Sequence, residues 1–453
     1  MRRYIKLDLI NIIEQLLEIT ETLLKKGRDI SAEQIQEVLT DCQQGAVDVG
    51  TKIEECEGEG TGAVTLLEEY CEKIYLICVK WQEVSVREKE LKALRGLLNK
   101  VKNSILYDIP DSKKEVVFLP YKASMWDSLE SVWLKACEDE NCDTYVIPIP
   151  YYDKNSDGSF GEMHYEGDMY PSNVSVTYYE DYDFASRRPD VVFIHNPYDE
   201  ANYVTSVHPF FYSKNLKQYT EKLVYIPYFV LGEVDPDDEK AVENIAHFCT
   251  TPGVFWADKV IVQSDQMRKV YVKVLNKFTG PDWKGKNYWN DKILGLGSPK
   301  FDKIKRSKRE EQSIPIEWEK VLYNKEGQWK KVVLYNTTVD ALIKNNKEML
   351  NKIKDSLKIF YENREKIALL WRPHPLIRAT ILSMRPELLE EYDAIVANYK
   401  KEGWGIYDDT ADLNRAIVIS DAYYGDWSSL VELYRHTEKP IMIQNVKVVT
   451  NEI

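Results

Sequence analysis

Apolar side chains recur every three or four residues over the first hundred positions of the chain. Ile5, Leu9, Ile13 and Leu16 open this pattern, which has the spacing of an amphipathic helix. No proline occurs between residues 4 and 105. The pattern predicts a helical extension, whose apolar spacing favours dimerisation or docking of a partner. Attachment of the first helix to a membrane surface is the alternative.

Helix boundaries inside this extension are indicated by a few residues. Ser31 followed by Gln34 is a capping box, which begins a helix by satisfying two backbone N–H groups. The glycine-rich run 57–62 breaks the helical pattern. A long helix is then expected from about Ala63 to Ile105, with an interruption near Val84–Val86.

After residue 108 the pattern changes to short apolar runs separated by helical segments. Strands are predicted at 115–120, 144–149, 189–194 and 223–227. Strand, helix and strand at this spacing indicate a parallel sheet. Ligands of such sheets lie beyond the carboxyl ends of the strands, and the third strand leads directly into His195.

A second series of strands and helices follows from residue 257. Its predicted strands lie at 257–262, 293–296, 331–338, 367–371, 417–419 and 440–443. Two such series predict an α/β fold of two Rossmann-like, doubly wound domains facing a cleft, behind an N-terminal all-helical extension. The expected domains are 1–107 (helical extension), 108–240 (acceptor side) and 241–453 (nucleotide-donor side).

The stretch Ile417–Leu433 carries the first candidate for chemistry. It is predicted to be a strand at 417–419, a turn ending in Gly425-Asp426-Trp427-Ser428-Ser429, and a helix starting near Leu430. A helix N-terminus with two hydroxyl groups and a permissive glycine suits a phosphate or diphosphate. The alternative is that Asp426 or Ser428 only caps the helix.

Arg372-Pro373-His374-Pro375 follows the strand 367–371 directly. The two prolines exclude His374 from a helix interior or a central strand. A guanidinium and an imidazole at a strand end suit a diphosphate, although a surface turn with an ordinary histidine has the same pattern.

Hydroxyl groups stand near two further predicted strand ends. Thr337 and Thr338 could donate to a phosphate or ribose, or cap the next helix. Ser298, in the turn Gly297-Ser298-Pro299, could border a nucleotide or serve the turn alone.

A general base is the remaining requirement for activating an acceptor hydroxyl. His195 and His208 are the candidates in the first sheet, and His195 has the better position. Asp199 could orient His195 or act itself. No His or carboxylate pattern has metal-ligand spacing, so neither a metal nor a cofactor is expected.

Composition narrows the class of protein. A formal net charge of −14 argues against a nucleic-acid partner. The excess acid lies mainly in residues 108–235, whereas the C-terminal part, which holds the candidate anion site, is not acidic. The seven cysteines form no CxxC pair, and neither a signal peptide nor a spanning apolar run is present. A cytoplasmic location is expected, with peripheral attachment at the inner face of a membrane as a variant.

Together these motifs resemble the CDP-glycerol glycerophosphotransferase family. The resemblance rests on Arg372-Pro373-His374-Pro375, then Ser420-Asp421 and Gly425–Ser429, then Lys439-Pro440. Gly297–Asp302 and Leu334–Thr338 are similar to two further motifs of the family, and the match covers roughly residues 255–445. The family's W-H-G-T motif, whose His is the presumed base, is missing here, and Asn336 stands where proline is common.

The resemblance implies a GT-B fold and transfer of glycerol phosphate from CDP-glycerol to an acceptor hydroxyl, with release of CMP. The acceptor is expected to be a polyol or glycan, in a lipid-linked form in one variant. The rival predictions are a GT-B glycosyltransferase using a nucleotide sugar and a non-catalytic nucleotide-binding protein that assembles through its helical extension, for instance as a homo-oligomer. The residues expected at the donor site are Arg372, His374, Gly425, Asp426, Ser428 and Ser429 for the diphosphate and Thr337, Thr338, Ser298 and Asp421 for the nucleotide, with His195, His374 and Asp199 in catalysis.

Overall fold

The computed structural model describes residues 1–26, 30–81, 83–155, 157–280, 283–410 and 412–444. Contacts divide the chain into two compact units, residues 1–115 with 139–143 and residues 116–138 with 144–453. The first unit is built of helices and the second contains two parallel sheets. This confirms the predicted class of two α/β sheets behind an N-terminal helical extension.

The described part of the helical unit contains four long helices. They are α1 (Arg3–Lys26), α2 (Ala32–Glu57), α3 (Gly62–Lys80) and α4 (Val84–Tyr107). The predicted capping box is present, because Ser31 and Gln34 each accept a hydrogen bond from the other's backbone N–H. The predicted interruption near Val84 separates α3 from α4. The apolar stripes form the core of this unit, in which Ile13, Ile53 and Leu98 are fully buried.

The second unit begins with nine strands that form two separate sheets. They are β1 (Lys114–Leu119), β2 (Cys142–Val146), β3 (Tyr151–Lys154), β4 (Phe160–His164), β5 (Val191–Ile194), β6 (Thr205–Val207), β7 (Lys222–Tyr225), β8 (Lys259–Val262) and β9 (Ile293–Gly295). The first sheet has the order β2-β1-β5-β7-β8-β9, and its pairs from β1 to β9 are parallel. A small antiparallel sheet, β4-β3-β6, is formed by strands that lie between β2 and β7 in the sequence.

Eight helices accompany these strands. They are α5 (Glu130–Cys137), α6 (Phe184–Arg187), α7 (Ser213–Leu216), α8 (Glu239–Cys249), α9 (Pro252–Trp256), α10 (Asp265–Thr279), α11 (Tyr288–Lys292) and α12 (Pro299–Arg306). The apolar strands form the core of the first sheet together with α10, since Val117, Val260, Leu275 and Ile293 are fully buried in one cluster.

The second parallel sheet has the order β12-β11-β10-β13-β14. Its strands are β10 (Lys331–Thr337), β11 (Ile367–Pro373), β12 (Ile406–Tyr407), β13 (Ala422–Gly425) and β14 (Ile441–Ile443). Its helices are α13 (Ile316–Leu322), α14 (Val339–Asn345), α15 (Lys347–Glu362), α16 (Ile377–Met384), α17 (Leu389–Glu402), α18 (Leu413–Ile419) and α19 (Ser429–Arg435). The sheet is covered on both faces, as its near-continuous apolar strands require.

Two details of the sequence analysis differ from the structure. Residues 417–419 are the end of α18, not a strand; Asp412 caps that helix, and the run is apolar because every side chain from Ala416 to Ile419 is buried. A short buried run does not distinguish a helix from a strand. The strands β8 and β9 lie in the first sheet, beyond the boundary expected at residue 240, because alternation of strands and helices continues unchanged from one sheet to the next.

Helix α12 connects the two α/β domains of the second unit. The Lys300 ammonium lies 2.5 Å from the Asp127 carboxylate, and the Lys303 ammonium 2.8 Å from the Glu130 carboxylate, both on the first domain. On the other side the Phe301 ring stacks on the His436 ring, with 3.6 Å between centroids. None of the described helices combines the length and apolar composition needed to cross a membrane.

Candidate functional site

The carboxyl edge of the second sheet brings three of the predicted motifs together. The central strand β10 pairs with β11 through Thr337 and Pro373, and with β13 through Asn336 and Gly425. Because the strands are parallel, the segments that follow them leave the sheet at one edge. His374 therefore lies on one side of Thr337-Thr338, and the loop Gly425–Ser429 on the other. We call these three segments the donor edge.

Gly425 allows the backbone of β13 to pass close to β10. Its φ of +137° is in the region that favours glycine. A Cβ atom at this position would lie 2.1 Å from the Asn336 carbonyl oxygen. The same carbonyl accepts a hydrogen bond from the Asp426 backbone N–H at 3.0 Å. Any larger residue would push the loop away from the strand.

Asn336 connects all three segments of the donor edge. Its amide nitrogen donates to the Arg372 carbonyl oxygen at 2.9 Å. Its amide oxygen accepts from the Tyr423 and Ser428 hydroxyl groups, each at 3.2 Å. Proline could make none of these side-chain contacts, so the asparagine at this position has a structural reason in this chain.

Asp426 faces inward and is neutralised by a buried lysine. Its carboxylate accepts hydrogen bonds from the Lys352 ammonium at 2.6 Å and from the Thr338 backbone N–H at 2.7 Å. Lys352 donates also to the Gln444 carbonyl oxygen at 2.7 Å, and both charged residues are buried. Asp426 was predicted to contact the diphosphate, but in the structure its carboxylate holds the loop to α14 and α15.

His374 is exposed at the donor edge and has a defined tautomer. Its backbone N–H donates to the Thr337 carbonyl oxygen at 2.9 Å, which fixes the residue beside β10. Its Nδ1 atom accepts from the Leu376 backbone N–H at 3.2 Å, so the proton of the neutral ring lies on Nε2. Partial burial lowers the pKa of the ring, which favours this neutral form. The imidazole thus offers one directed N–H donor.

The serines and threonines of the donor edge differ in exposure. Ser428 caps α19 by accepting from the Leu430 backbone N–H at 3.3 Å, and Ser429 is exposed at the first turn. Thr338 caps α14 through the Ala341 backbone N–H. Thr337 is fully buried, and its hydroxyl accepts from the Trp371 indole N–H at 3.2 Å. Of these hydroxyl groups, that of Ser429 is the most accessible to a ligand.

Arg372 turns away from the diphosphate position that the resemblance implies for it. Its guanidinium forms an ion pair with the buried Asp408 carboxylate and donates to the Thr410 carbonyl oxygen at 2.7 Å. Arg415 donates to the Thr410 hydroxyl at 2.9 Å and completes this network. Arg372 therefore anchors the loop after β12 behind the donor edge.

Asp421 and Ser298 do not join the donor edge. Asp421 precedes β13 and accepts from the Val332 backbone N–H and the Arg309 guanidinium, at the amino edge of the sheet. Because residues 417–419 were predicted to be a strand, Asp421 was expected at the carboxyl edge of the sheet, where the donor edge lies. Ser298 follows β9 of the first sheet and caps α12 through the Lys300 backbone N–H.

His195 lies at the carboxyl end of β5, as expected, but is wholly buried. Its Nε2 atom accepts from the Tyr121 backbone N–H at 3.0 Å, and Nδ1 is bonded to the Ser128 hydroxyl at 2.8 Å. The rings of Tyr121 and Tyr228 pack edge-on against it. Burial, assisted by nearby Lys300, lowers the pKa of His195 to about 3. In this arrangement neither nitrogen is free to take a proton from an acceptor.

Asp199 and His208 also have structural partners. The Asp199 carboxylate accepts hydrogen bonds from the Ser213 backbone N–H at 2.8 Å and from the Ser213 hydroxyl, and not from His195. Burial raises the pKa of Asp199 to about 7, although the Ser213 bonds oppose the shift. The His208 ring accepts from the Phe210 backbone N–H at 3.2 Å and begins a short turn.

Neither Lys352 nor the role of Asn336 is predicted by the sequence motifs. Lys352 lies among buried Met349, Leu350 and Ile353 on the inner side of α15. A lysine inside an apolar stripe is a signal that could have been read as a buried ion pair, because an unpaired charge there would be costly. That its partner is Asp426 could not be predicted, because Asp426 lies 74 residues away in the chain.

Comparisons with known proteins agree with the motifs. The family model "CDP-Glycerol:Poly(glycerophosphate) glycerophosphotransferase" matches residues 250–448. The comparison with curated proteins found no match.

Among solved structures, three similar ones are two epimerases and a polymerase. A UDP-N-acetylglucosamine 2-epimerase shares 12% identity at a TM-score of 0.44, over 74% of this chain and 80% of its own. A putative UDP-N-acetylglucosamine 2-epimerase from Listeria monocytogenes shares 15% identity at a TM-score of 0.40, over 73% of this chain and 79% of its own. A variant of the wall teichoic acid polymerase TagF shares 13% identity at a TM-score of 0.41, over 85% of this chain and 79% of its own.

All three segments of the donor edge lie inside the range that the family model matches. The resemblance drawn from the motifs is thereby confirmed at the level of the domain. Residues 250–448 form a domain of the CDP-glycerol:poly(glycerophosphate) glycerophosphotransferase family of enzymes.

Proposed function

We propose that this enzyme transfers glycerol phosphate from CDP-glycerol to a hydroxyl group of a polyol or glycan acceptor, as in the synthesis of a teichoic-acid-like surface polymer. The acceptor oxygen forms a bond to the β-phosphorus, the bond from that phosphorus to the bridging oxygen breaks, and CMP leaves. The proton of the acceptor hydroxyl is released to water, so that the products are the glycerophosphate ester, CMP and a proton. The family match supports the donor, and the donor edge supplies the groups such a donor requires.

The observation that carries the proposal is the fixed N–H donor of His374. Phosphoryl transfer passes through a loose transition state, for which a protein mainly provides positioning and stabilisation of charge. A neutral imidazole whose Nδ1 is already occupied can aim Nε2–H at a phosphate oxygen without rearrangement. The Ser429 hydroxyl lies on the other side of β10 and would contact the same diphosphate.

The buried Asp426–Lys352 pair removes an objection to this assignment. A free carboxylate in the loop 425–429 would repel a diphosphate. Because Asp426 points away from the edge and is paired with Lys352 at 2.6 Å, the loop presents hydroxyl and backbone N–H groups instead. Lys352 and Asn336 are therefore positioning residues in this proposal.

His195 enters the proposal as a positioning residue too. It ties β5 to Tyr121 and to the 3₁₀ turn Ala123–Ser128. The same turn carries Asp127, which pairs with Lys300 on α12. His195 thus supports the contact between the two α/β domains, which a transfer between donor and acceptor depends on.

Calorimetric titration with CDP-glycerol tests the donor site. The wild type should bind, and His374→Ala and the double variant Ser428→Ala/Ser429→Ala should bind more weakly. His247→Ala, which removes an exposed histidine from α8, is the matched control. In a CMP-release assay, His374→Ala should lower the rate by about 10²–10³-fold, the loss seen when one transition-state donor is removed.

Two outcomes would contradict the proposal. Tight binding of UDP- or GDP-sugars without binding of CDP-glycerol would favour a glycosyltransferase. Binding of CDP-glycerol with no CMP release toward any polyol or glycan acceptor would favour a non-catalytic binding protein.

A further inference from the structure

An exposed surface of tryptophan, phenylalanine and lysine lies at the amino edge of the first sheet, opposite to the edge that holds His195. Helix α9 leads into the amino end of β8, and α10 leads through α11 into that of β9. Residues from α7, α9, α10 and the loop after α10 meet here. We call this the basic aromatic surface; it consists of Lys214, Trp256, Lys277, Phe278, Trp283, Lys284 and Lys286.

Two of its three aromatic residues are exposed although they are apolar, and the third, Trp283, is half-buried. The Phe278 side chain is 67% exposed and that of Trp256 is 43% exposed. Phe255 joins the two segments, since its ring lies 5.8 Å from that of Phe278 and 6.3 Å from that of Trp283. Large exposed rings next to each other mark an interaction surface rather than ordinary surface composition.

Lysines border the rings on each side. The Lys284 ammonium lies 4.7 Å from the centre of the Trp283 ring, and the Lys214 ammonium 5.5 Å from that of Trp256. Lys277 and Lys286 are exposed nearby. Residues 277–286 contain three lysines and one aspartate, in a chain whose net charge is −14. The local charge is therefore opposite to that of the whole molecule.

An apolar groove opens beside Phe278. It lies between α8 and α10, has a volume of about 450 Å³, and is lined by Val242, Ala246, Val274 and Phe278. Glu239, Glu243, Lys273 and Lys277 also line the groove, and Glu239 is paired with Lys273 at 2.5 Å. The groove gives the surface apolar depth next to its positive charges.

We propose that the basic aromatic surface docks on a bilayer that contains anionic phospholipid. Tryptophan favours the level of the lipid headgroups, and exposed phenylalanine can insert below it. Lysines near an anionic membrane attract it over a Debye length, and here they also offset repulsion by the acidic remainder of the chain. The combination of charge and rings fits a bilayer better than a soluble anion, which has no use for the rings. The docking needs no substrate and is independent of the transfer reaction.

Co-sedimentation with vesicles tests this proposal on the full chain without nucleotide. Vesicles of phosphatidylcholine alone are compared with vesicles containing about a third phosphatidylglycerol. The protein should sediment with the anionic vesicles, and binding should weaken as salt is raised. The triple variant Lys277→Glu/Lys284→Glu/Lys286→Glu should bind at least about tenfold more weakly, and Phe278→Ser should also lose binding.

Matched controls place the same changes elsewhere on the surface. Lys320→Glu/Lys325→Glu/Lys358→Glu reverses three exposed lysines of the second α/β domain. Tyr203→Ser removes a ring that is 94% exposed on the first domain. Both controls should bind anionic vesicles like the wild type, since net charge alone does not set the site. Circular dichroism checks that each variant is folded.

Several results would overturn the proposal. These are equal binding to both kinds of vesicle, no binding to either, or equal loss of binding in the test and control variants. Self-association that the Phe278→Ser change abolishes, without vesicle binding, would assign the surface to a second copy of the chain. The salt dependence of the wild type needs no variant, so it remains informative if a substituted chain fails to fold.

Discussion

Each parallel sheet has a histidine at its carboxyl edge. In the first sheet His195 is wholly buried, and both of its ring nitrogens are hydrogen-bonded. In the second sheet His374 is exposed, and its Nε2–H is free to donate. Both follow a strand directly. His195 is enclosed by tyrosine rings, and His374 lies between prolines at the surface. Position at a strand end therefore does not decide whether a histidine can do chemistry. The packing around it does.

The two edges also differ in what holds them. The donor edge is supported from behind by a buried ion pair and an asparagine, Asp426–Lys352 and Asn336. The carboxyl edge of the first sheet, which we call the first edge, is supported by aromatic packing around His195 itself. The donor edge can thus keep its exposed groups free for a ligand, while the first edge uses its histidine as part of the support.

The largest expected effect comes from breaking the buried pair behind the donor edge. Lys352→Met leaves the Asp426 carboxylate buried without its partner, which should lower the free energy of unfolding by about 3–5 kcal/mol. Urea denaturation followed by tryptophan fluorescence measures it. The double variant Lys352→Met/Asp426→Asn should recover part of the loss, and no recovery would mean that the pair is not the cause.

A smaller effect is expected at the first edge. His195→Ala leaves the buried Tyr121 backbone N–H without an acceptor and should lower the free energy of unfolding by about 1–3 kcal/mol. The same urea titration measures the change. CDP-glycerol binding should remain, because the donor edge is on the other sheet. A lower turnover whose pH dependence also changes, with a stable fold, would instead indicate a direct role of His195 in catalysis.

Acid should act on the first edge in a defined window. His195 has an ordinary pKa of 6.5 and a folded pKa of about 3. Between these values the unfolded chain binds more protons at this position, so the contribution of His195 to the free energy of unfolding should fall as pH falls from 6.5 toward 3. Stability curves of wild type and His195→Gln should therefore converge toward low pH.

Asp199 provides the opposite slope as a control for this pH effect. Its pKa is raised from 3.8 to about 7, so its contribution is fully present below pH 3.8 and is lost as pH rises from 3.8 to 7. Asp199→Asn should remove that loss and, because its pH window overlaps that of His195, should make the fall in stability toward acid steeper. If the free energies of unfolding of the wild type and of His195→Gln ran parallel between pH 6.5 and 3, the acid response could not be assigned to His195.

The smallest expected effect on stability comes from the exposed part of the donor edge. Ser429→Ala removes an exposed hydroxyl and should change the free energy of unfolding by less than about 0.5 kcal/mol. Affinity for CDP-glycerol, measured by calorimetry, should fall while the melting temperature stays the same. A fall in both would place Ser429 among the supporting residues.

The sequence by itself determined the class of the fold and the place of the donor edge. Apolar periodicity and capping residues are local properties, so they predicted the helical extension, the capping box at Ser31 and most strands. The motifs around His374 and Ser428 are contiguous and identified the family. The exposed positions of His374 and Ser429 follow from their neighbouring prolines and helix start.

Only the tertiary structure decided which polar residues face a ligand. Arg372 is bound by Asp408 and Asp426 by Lys352, and both partners are distant in the chain. The helix at 417–419 and the burial of His195 likewise depend on what packs against them. The basic aromatic surface is assembled from separate segments, which is why no single run of the sequence indicated it. Local periodicity specifies elements, whereas charge pairing and burial are set by contacts between residues far apart in sequence.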